Sequence, residues 1–515
     1  MRLRGLQAGT GCRTRAALAR AAWAAGAVLA ALPVAAQNAG ALRVTPIFDS
    51  SVSVVHSTLP AATGQGDDVV LQVHPGVQMT VGSGRLRGTL NYGLNAIHHT
   101  RPAVGQGQAD TLQNNLNAAL NAELVERWIY LDSTASVAQQ SISAYGQQSV
   151  DGVQNNANRT EVSQLSIKPY ARGSVAGWAT YQIGLSADTY HAKAALVPDS
   201  RNLGVNFSLA SSSAGSLLGW SAQLSQQRST FSGGQATDNG RVTVSLLFRP
   251  HPEISGSLRG GQETTSVGSV YSKSYSNWGG DLRWTPSVRT TASLSADERY
   301  FGRAHQVLLE HRFPSSSVRY TSSRDASNAA NGTGVGQPTT VYQLFYSLLA
   351  SAYPDPVERD QQVRINLLAL HLDANATVGG GFASAGTTVQ QRQDLSMTYI
   401  GRRSSYTLQA YTTDVRRLDT ASQGVDTTAV RQDGWTTTWA YRLTPTSNLN
   451  LMGSRLRTQG TATQAGNQLK SVALSWSNQY TKYVGTSVSA RYSAFDGSIN
   501  PYRESALSAS LTLRF

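Results

Sequence analysis

The chain has 515 residues, a formal net charge of +13, 14% charged residues and a single cysteine. One thiol rules out an internal disulfide framework, so the fold rests on burial and hydrogen bonding. Mean hydropathy is -0.27, and beyond residue 36 no apolar run is long enough for a spanning helix.

Residues 1–36 carry Arg2, Arg4, Arg13, Arg15 and Arg20 with no acid, then the apolar run AAWAAGAVLAAL and PVAAQ. This pattern predicts a secretory signal peptide cleaved between Ala36 and Gln37. Its removal takes away Cys12 and leaves a basic, thiol-free chain, 37–515.

Strand patterning begins at Arg43. In LQNNLNAALNAELV, Leu112, Leu116, Leu120 and Leu124 alternate with Gln113, Asn115, Asn117, Asn121 and Glu123. One face is apolar and the other rich in amides, which is a half-buried strand. After the turn ERW, IYLDSTASVAQQ repeats the beat, and the two make a hairpin. YQIGLSADTY sets Tyr181, Ile183 and Leu185 against Gln182, Ser186 and Asp188. LGVNFSLA, RVTVSLLF and SVALSWSNQ follow the same rule.

VYQLFYSLLASAY breaks the beat. Val341, Leu344, Phe345, Leu348 and Leu349 form a helical stripe. In the next segment Asp355, Pro356 and Glu358 supply an N-cap, a first-turn proline and a capping-box acid. Residues 330–385 are therefore expected to be a loop insertion with two short helices. Packing on the barrel rim is expected; a plug or gate in the lumen is the alternative.

The chain closes on SALSASLTLRF. Leu507, Leu511, Leu513 and the terminal Phe515 alternate with Ser508, Ser510, Thr512 and Arg514.

Short links near 82–85, 126–128, 175–178, 212–216, 249–253, 285–287, 314–317, 444–447 and 482–485 alternate mostly with longer polar ones, such as 143–158 and 418–428. Short turns on one side and long loops on the other describe a transmembrane antiparallel outer-membrane β-barrel. Segment counting predicts about 22 strands, within roughly 18–26. Both termini are expected in the periplasm. Asn115, Asn117, Asn121, Gln182, Asp188 and Arg514 are the lumen-facing candidates. A soluble sandwich would carry more Lys and Glu on its outer face.

Several stretches resemble the outer-membrane β-barrel family associated with PEP-CTERM/exosortase systems. They are ALRVTP (41–46), NAELVERWIYLDSTASVAQQSIS (121–143), NRTEVSQLSIKPYARG (158–173), RWTPS (283–287), RYFG (299–302), PDPVER (354–359) and RQDLSMTYIGRRSSYTL (392–408). After the opening strand, SSVSVVHST stands where the family has a Tyr-Thr-Asp-Asn-like stretch. The resemblance implies a Gram-negative outer membrane and a role in exopolysaccharide export or surface assembly; it transfers no catalytic residue. The terminal Phe515, with Leu511 and Leu513, is similar to the assembly signal that bacterial barrels present to their assembly machinery.

None of the histidines sits in a Ser/His or Asp/His motif, and no metal-ligand spacing occurs. An enzyme, a metal or a cofactor is not expected. A TonB-dependent receptor of similar strand number needs a folded plug before its first strand, and the pattern leaves no room for one. Basic residues such as Arg402, Arg403, Arg416 and Arg417 suit lipid headgroups and lipopolysaccharide phosphates rather than nucleic acid. The expected function is a porin-like conduit passing polysaccharide or another hydrophilic solute, with a periplasmic export partner. The alternative is a non-conducting surface or scaffold barrel.

Overall fold

A computed structural model describes residues 42–58, 66–82, 84–101, 110–150, 156–212, 217–269, 271–328, 386–418, 429–481 and 483–515, together with residues 342, 346, 359, 363 and 382. The expected signal segment, with Ala36 and Gln37, lies outside the described residues. So does most of 330–385, of which Tyr342, Tyr346, Arg359 and Val363 are helical.

The strands run in chain order. They are β1 (Leu42–Thr58), β2 (Gly66–Gly82), β3 (Leu86–His99), β4 (Asp110–Val125), β5 (Ile129–Ser141), β6 (Arg159–Val175), β7 (Ala179–Ala192) and β8 (Ser200–Ser211). There follow β9 (Leu218–Phe231), β10 (Thr237–His251), β11 (Ile254–Thr265), β12 (Lys273–Ser287), β13 (Thr290–Arg299), β14 (Gly302–Arg312) and β15 (Ser316–Asn328). The last are β16 (Thr387–Ile400), β17 (Ser404–Arg417), β18 (Ala429–Arg442), β19 (Ser447–Thr458), β20 (Asn467–Gln479), β21 (Val484–Asp496) and β22 (Tyr502–Arg514).

Each strand pairs antiparallel with its sequence neighbours in one 22-stranded sheet. β22 closes the sheet on β1, from Ile47↔Arg514 to Thr58↔Arg503. Closure leaves no free sheet edge, so every wall strand satisfies its backbone without water, as a bilayer demands. The expected barrel and strand number are the observed ones. An even number of strands puts Leu42 and Phe515 at the same mouth, the one with the short turns.

Turn chemistry sets that mouth. Between β6 and β7, Ala176 and Gly177 both have positive φ, 47° and 76°, and the Trp178 N–H donates to the Val175 carbonyl at 3.1 Å. Two left-handed central residues with that bond make a type I′ turn, whose twist matches the strands it joins. The opposite mouth carries most of the long connections, although Tyr300 and Phe301 alone join β13 to β14.

Side chains alternate across the wall. The outer face exposes Val52, Val54, Val244, Leu246, Leu258 and Leu507, with Leu258 73% accessible. Trp128, Trp178, Trp220, Trp284, Tyr406 and Trp439 gather at the short-turn end, with Trp178 and Trp220 ring centroids 5.8 Å apart. An apolar band this extensive is not left in water by a soluble monomer. A lipid bilayer covers it, and aromatic rings mark the interface.

Candidate functional site: a polar lumen and the loop between the fifth and sixth strands

In-register antiparallel neighbours share a face, so the pairings carry one side assignment around the closed wall. Ser53, Val70 and Ile97 stand on the inner side, opposite the exposed Val52 and Val54. Ile97 pairs Thr111, which puts Asn115, Asn117 and Asn121 inside. The same register continued through β5 and β6 puts Gln182 and Asp188 inside on β7. From β1, Ile47 sets Arg514 inside, while Leu507, Leu511 and Leu513 point outward.

These six polar residues line one lumen and do not converge on one point. Asn121 donates through Nδ2 to Asp132 Oδ1 at 2.8 Å. Asp188 is buried.

Two features of the lumen have no motif in the sequence. The first is a polar bay of about 930 Å³ walled by β8–β13, lined by Asn206, Gln223, Thr243, Ser245 and Ser257 and floored by charge. Arg259 donates through Nη2 to Asp297 Oδ2 at 2.8 Å and to Ser295 Oγ at 2.6 Å, and through Nη1 to Asp281 Oδ1 at 2.9 Å. Nε completes a bidentate grip on Asp297. Ser257 donates to the same Asp281. Gly279 makes room: a Cβ there would lie 2.2 Å from the Asp297 carboxylate. Nearer the long-loop mouth, Arg299 bridges Glu263 and Asp325. The carboxylates are thus matched by guanidinium groups in fork geometry.

The second feature is the β5–β6 connection. β5 leaves β4 after Val137↔Leu116 yet stays with β6 as far as Ser141↔Arg159. Glu161 bridges the opening in the wall, accepting from Asn114 N at 3.2 Å and Asn114 Nδ2 at 3.1 Å. Beyond Ser141 the loop folds on itself: Asn158 Nδ2 donates to the Ser143 and Gln147 carbonyls, at 2.9 and 3.0 Å.

The loop then docks on the far wall. The Ala144 carbonyl accepts from Asn467 Nδ2 on β20 at 2.9 Å and from Thr458 Oγ1 on β19 at 3.2 Å. Tyr145 donates to the Ala429 carbonyl of β18 at 3.1 Å, and Tyr502 of β22 donates to the Gln148 carbonyl at 2.9 Å. Ala144 and Tyr145 are buried with Val415, Val430 and Phe382.

Ser141 to Ala144 reaches at most about 10 Å. Around the wall, β4, β3, β2, β1, β22 and β21 lie between β5 and β20, a path of more than ~30 Å. The hairpin tip therefore leans inward across the mouth. A long polar connection was legible at 143–158; its inward fold was not, because no local pattern encodes a partner on β18–β22. Phe382 bridges to Ser141, so this residue of the 330–385 insertion meets the loop inside the barrel. Phe382 is 1% exposed.

No acyl-transfer geometry forms among the described residues. His305 Nε2 lies 3.1 Å from Ser322 Oγ, but Ser322 is 5% exposed and no carboxylate bonds His305. His98 and His99 pair with Asp110 and Asp68 at the long-loop end. Among the described residues no cluster of His, Cys, Asp and Glu could hold a metal ion.

No family model and no curated protein matches the chain. Among solved structures it is similar to the FrpB iron transporter from Neisseria meningitidis (F5-1 variant), with 10% identity over 91% of this chain and 82% of that one, at a TM-score of 0.46. It is also similar to Acinetobacter baumannii OccAB4, with 6% identity, 92% and 98% coverage and a TM-score of 0.35. A third is Pseudomonas aeruginosa OccK5 (OpdH), with 8% identity, 92% and 98% coverage and a TM-score of 0.33. At these scores the likeness assigns no activity.

Proposed function

We propose that this barrel is an outer-membrane conduit for hydrophilic solutes, linked to exopolysaccharide export or cell-surface assembly. The observation that carries the reading is the inner wall: Asn, Gln, Ser and Thr continue around the closed register into a bay of about 930 Å³. Such groups exchange hydrogen bonds with sugar hydroxyls as readily as with water, so a glycan can enter without being held. The resemblance to barrels of PEP-CTERM/exosortase systems supports the exopolysaccharide link. Planar-bilayer recording of the purified protein tests the conduit. Discrete conductance steps are expected, enlarged when Tyr145 is replaced by alanine. Silence from both proteins would remove it.

A second reading, a non-conducting surface or scaffold barrel, is favoured by the docked β5–β6 loop. Capture of a periplasmic or surface partner by a silent barrel would support that reading.

A further inference from the structure

The inner-face charges are not spread evenly along the barrel axis. Arg43, Arg87, Arg249, Arg312, Arg442 and Arg514 all lie on the lumen side within two residues of the short-turn end of their strands. Arg172, Arg283 and Arg319 stand slightly deeper on the same face. Among the described residues, the acids facing the lumen at or near that end are Glu123, Asp132, Glu310 and Asp49, which stands opposite Thr512, two residues from Arg514. Glu310 lies 3.6 Å from Arg312.

Toward the long loops the balance turns. Asp68, Asp188, Glu263, Asp297, Asp325 and Glu504 face the lumen there, several of them tied to partners: Glu263 to Arg299, Asp297 to Arg259 and Glu504 to Arg491. One mouth is therefore a cationic collar, whereas acids and bases are mixed in the lumen beyond it, where Arg241, Lys273, Arg392 and Arg417 also face inward.

We propose that this collar is an anion-recruiting site, which selects hydrophilic solutes bearing repeated carboxylate, phosphate or sulfate groups, such as an acidic glycan, at the short-turn mouth. It rests on the conduit reading for the route and deepens it by naming the substrate class. Fixed charge predominantly of one sign around an opening concentrates counter-ions. Guanidinium groups match planar and tetrahedral anions through two-point hydrogen bonds. Arg249 also lines the polar bay, so an anion captured at the collar meets hydroxyl and amide groups next.

The test compares the wild-type chain with the triple variant Arg249→Gln, Arg283→Gln, Arg442→Gln, each inserted as a folded, heat-modifiable barrel. Reversal potentials in a KCl gradient should report preference for chloride, and the variant should lose about threefold or more of that preference. Calorimetry on detergent-solubilised protein then compares an oligogalacturonate with a neutral malto-oligosaccharide of equal length. The acidic chain should bind about tenfold better, less at high salt, with the advantage lost in the variant. Equal binding of the two sugars, or unchanged selectivity in the variant, overturns the collar while a conducting barrel stands. Acid-selective binding by a silent barrel keeps the collar and removes the conduit.

Discussion

Tyr502, on the strand that closes the barrel, donates its hydroxyl to the Gln148 carbonyl at 2.9 Å, across a sequence separation of 354 residues. With Asn467 and Thr458 on Ala144, this bond holds the β5–β6 loop to the opposite wall. Removing the Tyr502 hydroxyl costs one buried bond, worth about 1 kcal/mol. Tyr502→Phe should therefore leave the barrel assembled and speed amide exchange over 142–150. Unchanged exchange there would mean that the Asn467, Thr458 and Tyr145 contacts hold the loop without it.

Arg259 ties three strands through Asp281, Ser295 and Asp297. Arg259→Leu would leave two carboxylates facing each other in the bay, costing about 1–2 kcal/mol once lumen water is allowed for. Gly279→Ala should act in the same direction by displacing Asp297. Both appear as lower urea midpoints of the folded barrel, and the double variant should fall short of additivity, because the two changes break one network.

Lipid and lumen faces alternate along β10 and β9, which makes their responses opposite. Val244→Lys puts a charge on the lipid side, at a cost of about 2–4 kcal/mol near the bilayer midplane. Gln223→Lys puts the same charge in the bay and should fold like the parent. Heat-shifted gel mobility of the two refolded proteins decides; equal yields would contradict the assigned faces.

Phe515 ends the chain with its side chain 68% exposed and its N–H donating to the Pro46 carbonyl at 3.1 Å. Few contacts are lost when the ring is removed, so Phe515→Ala should leave the melting temperature of the assembled barrel within a degree or two. Its assembly rate in cells should drop, if the terminal aromatic serves recognition by the assembly machinery. A large loss of melting temperature would make its role structural.

The wall was legible in the sequence because strand patterning is local. Leu112, Leu116 and Leu120 against Asn115, Asn117 and Asn121 record two faces with no knowledge of any other strand. Polar short links against longer connections then order the strands up and down, and closure follows because lipid tolerates no open edge. From these the sidedness of Gln182, Asp188 and Arg514 could be read residue by residue.

Tertiary structure alone decided what occupies and charges the lumen. Tyr145 meets Ala429 only because the wall has closed and brought β18 within reach of the β5–β6 tip. Arg259 looks like any basic residue on a strand until register sets Asp297 on β13 beside it. The collar is likewise invisible in the chain, where its arginines lie far apart between Arg43 and Arg514. Side-chain period is a property of neighbours along the backbone, whereas a loop's partner and an axial charge gradient are properties of strand register, which exists only once the sheet is paired.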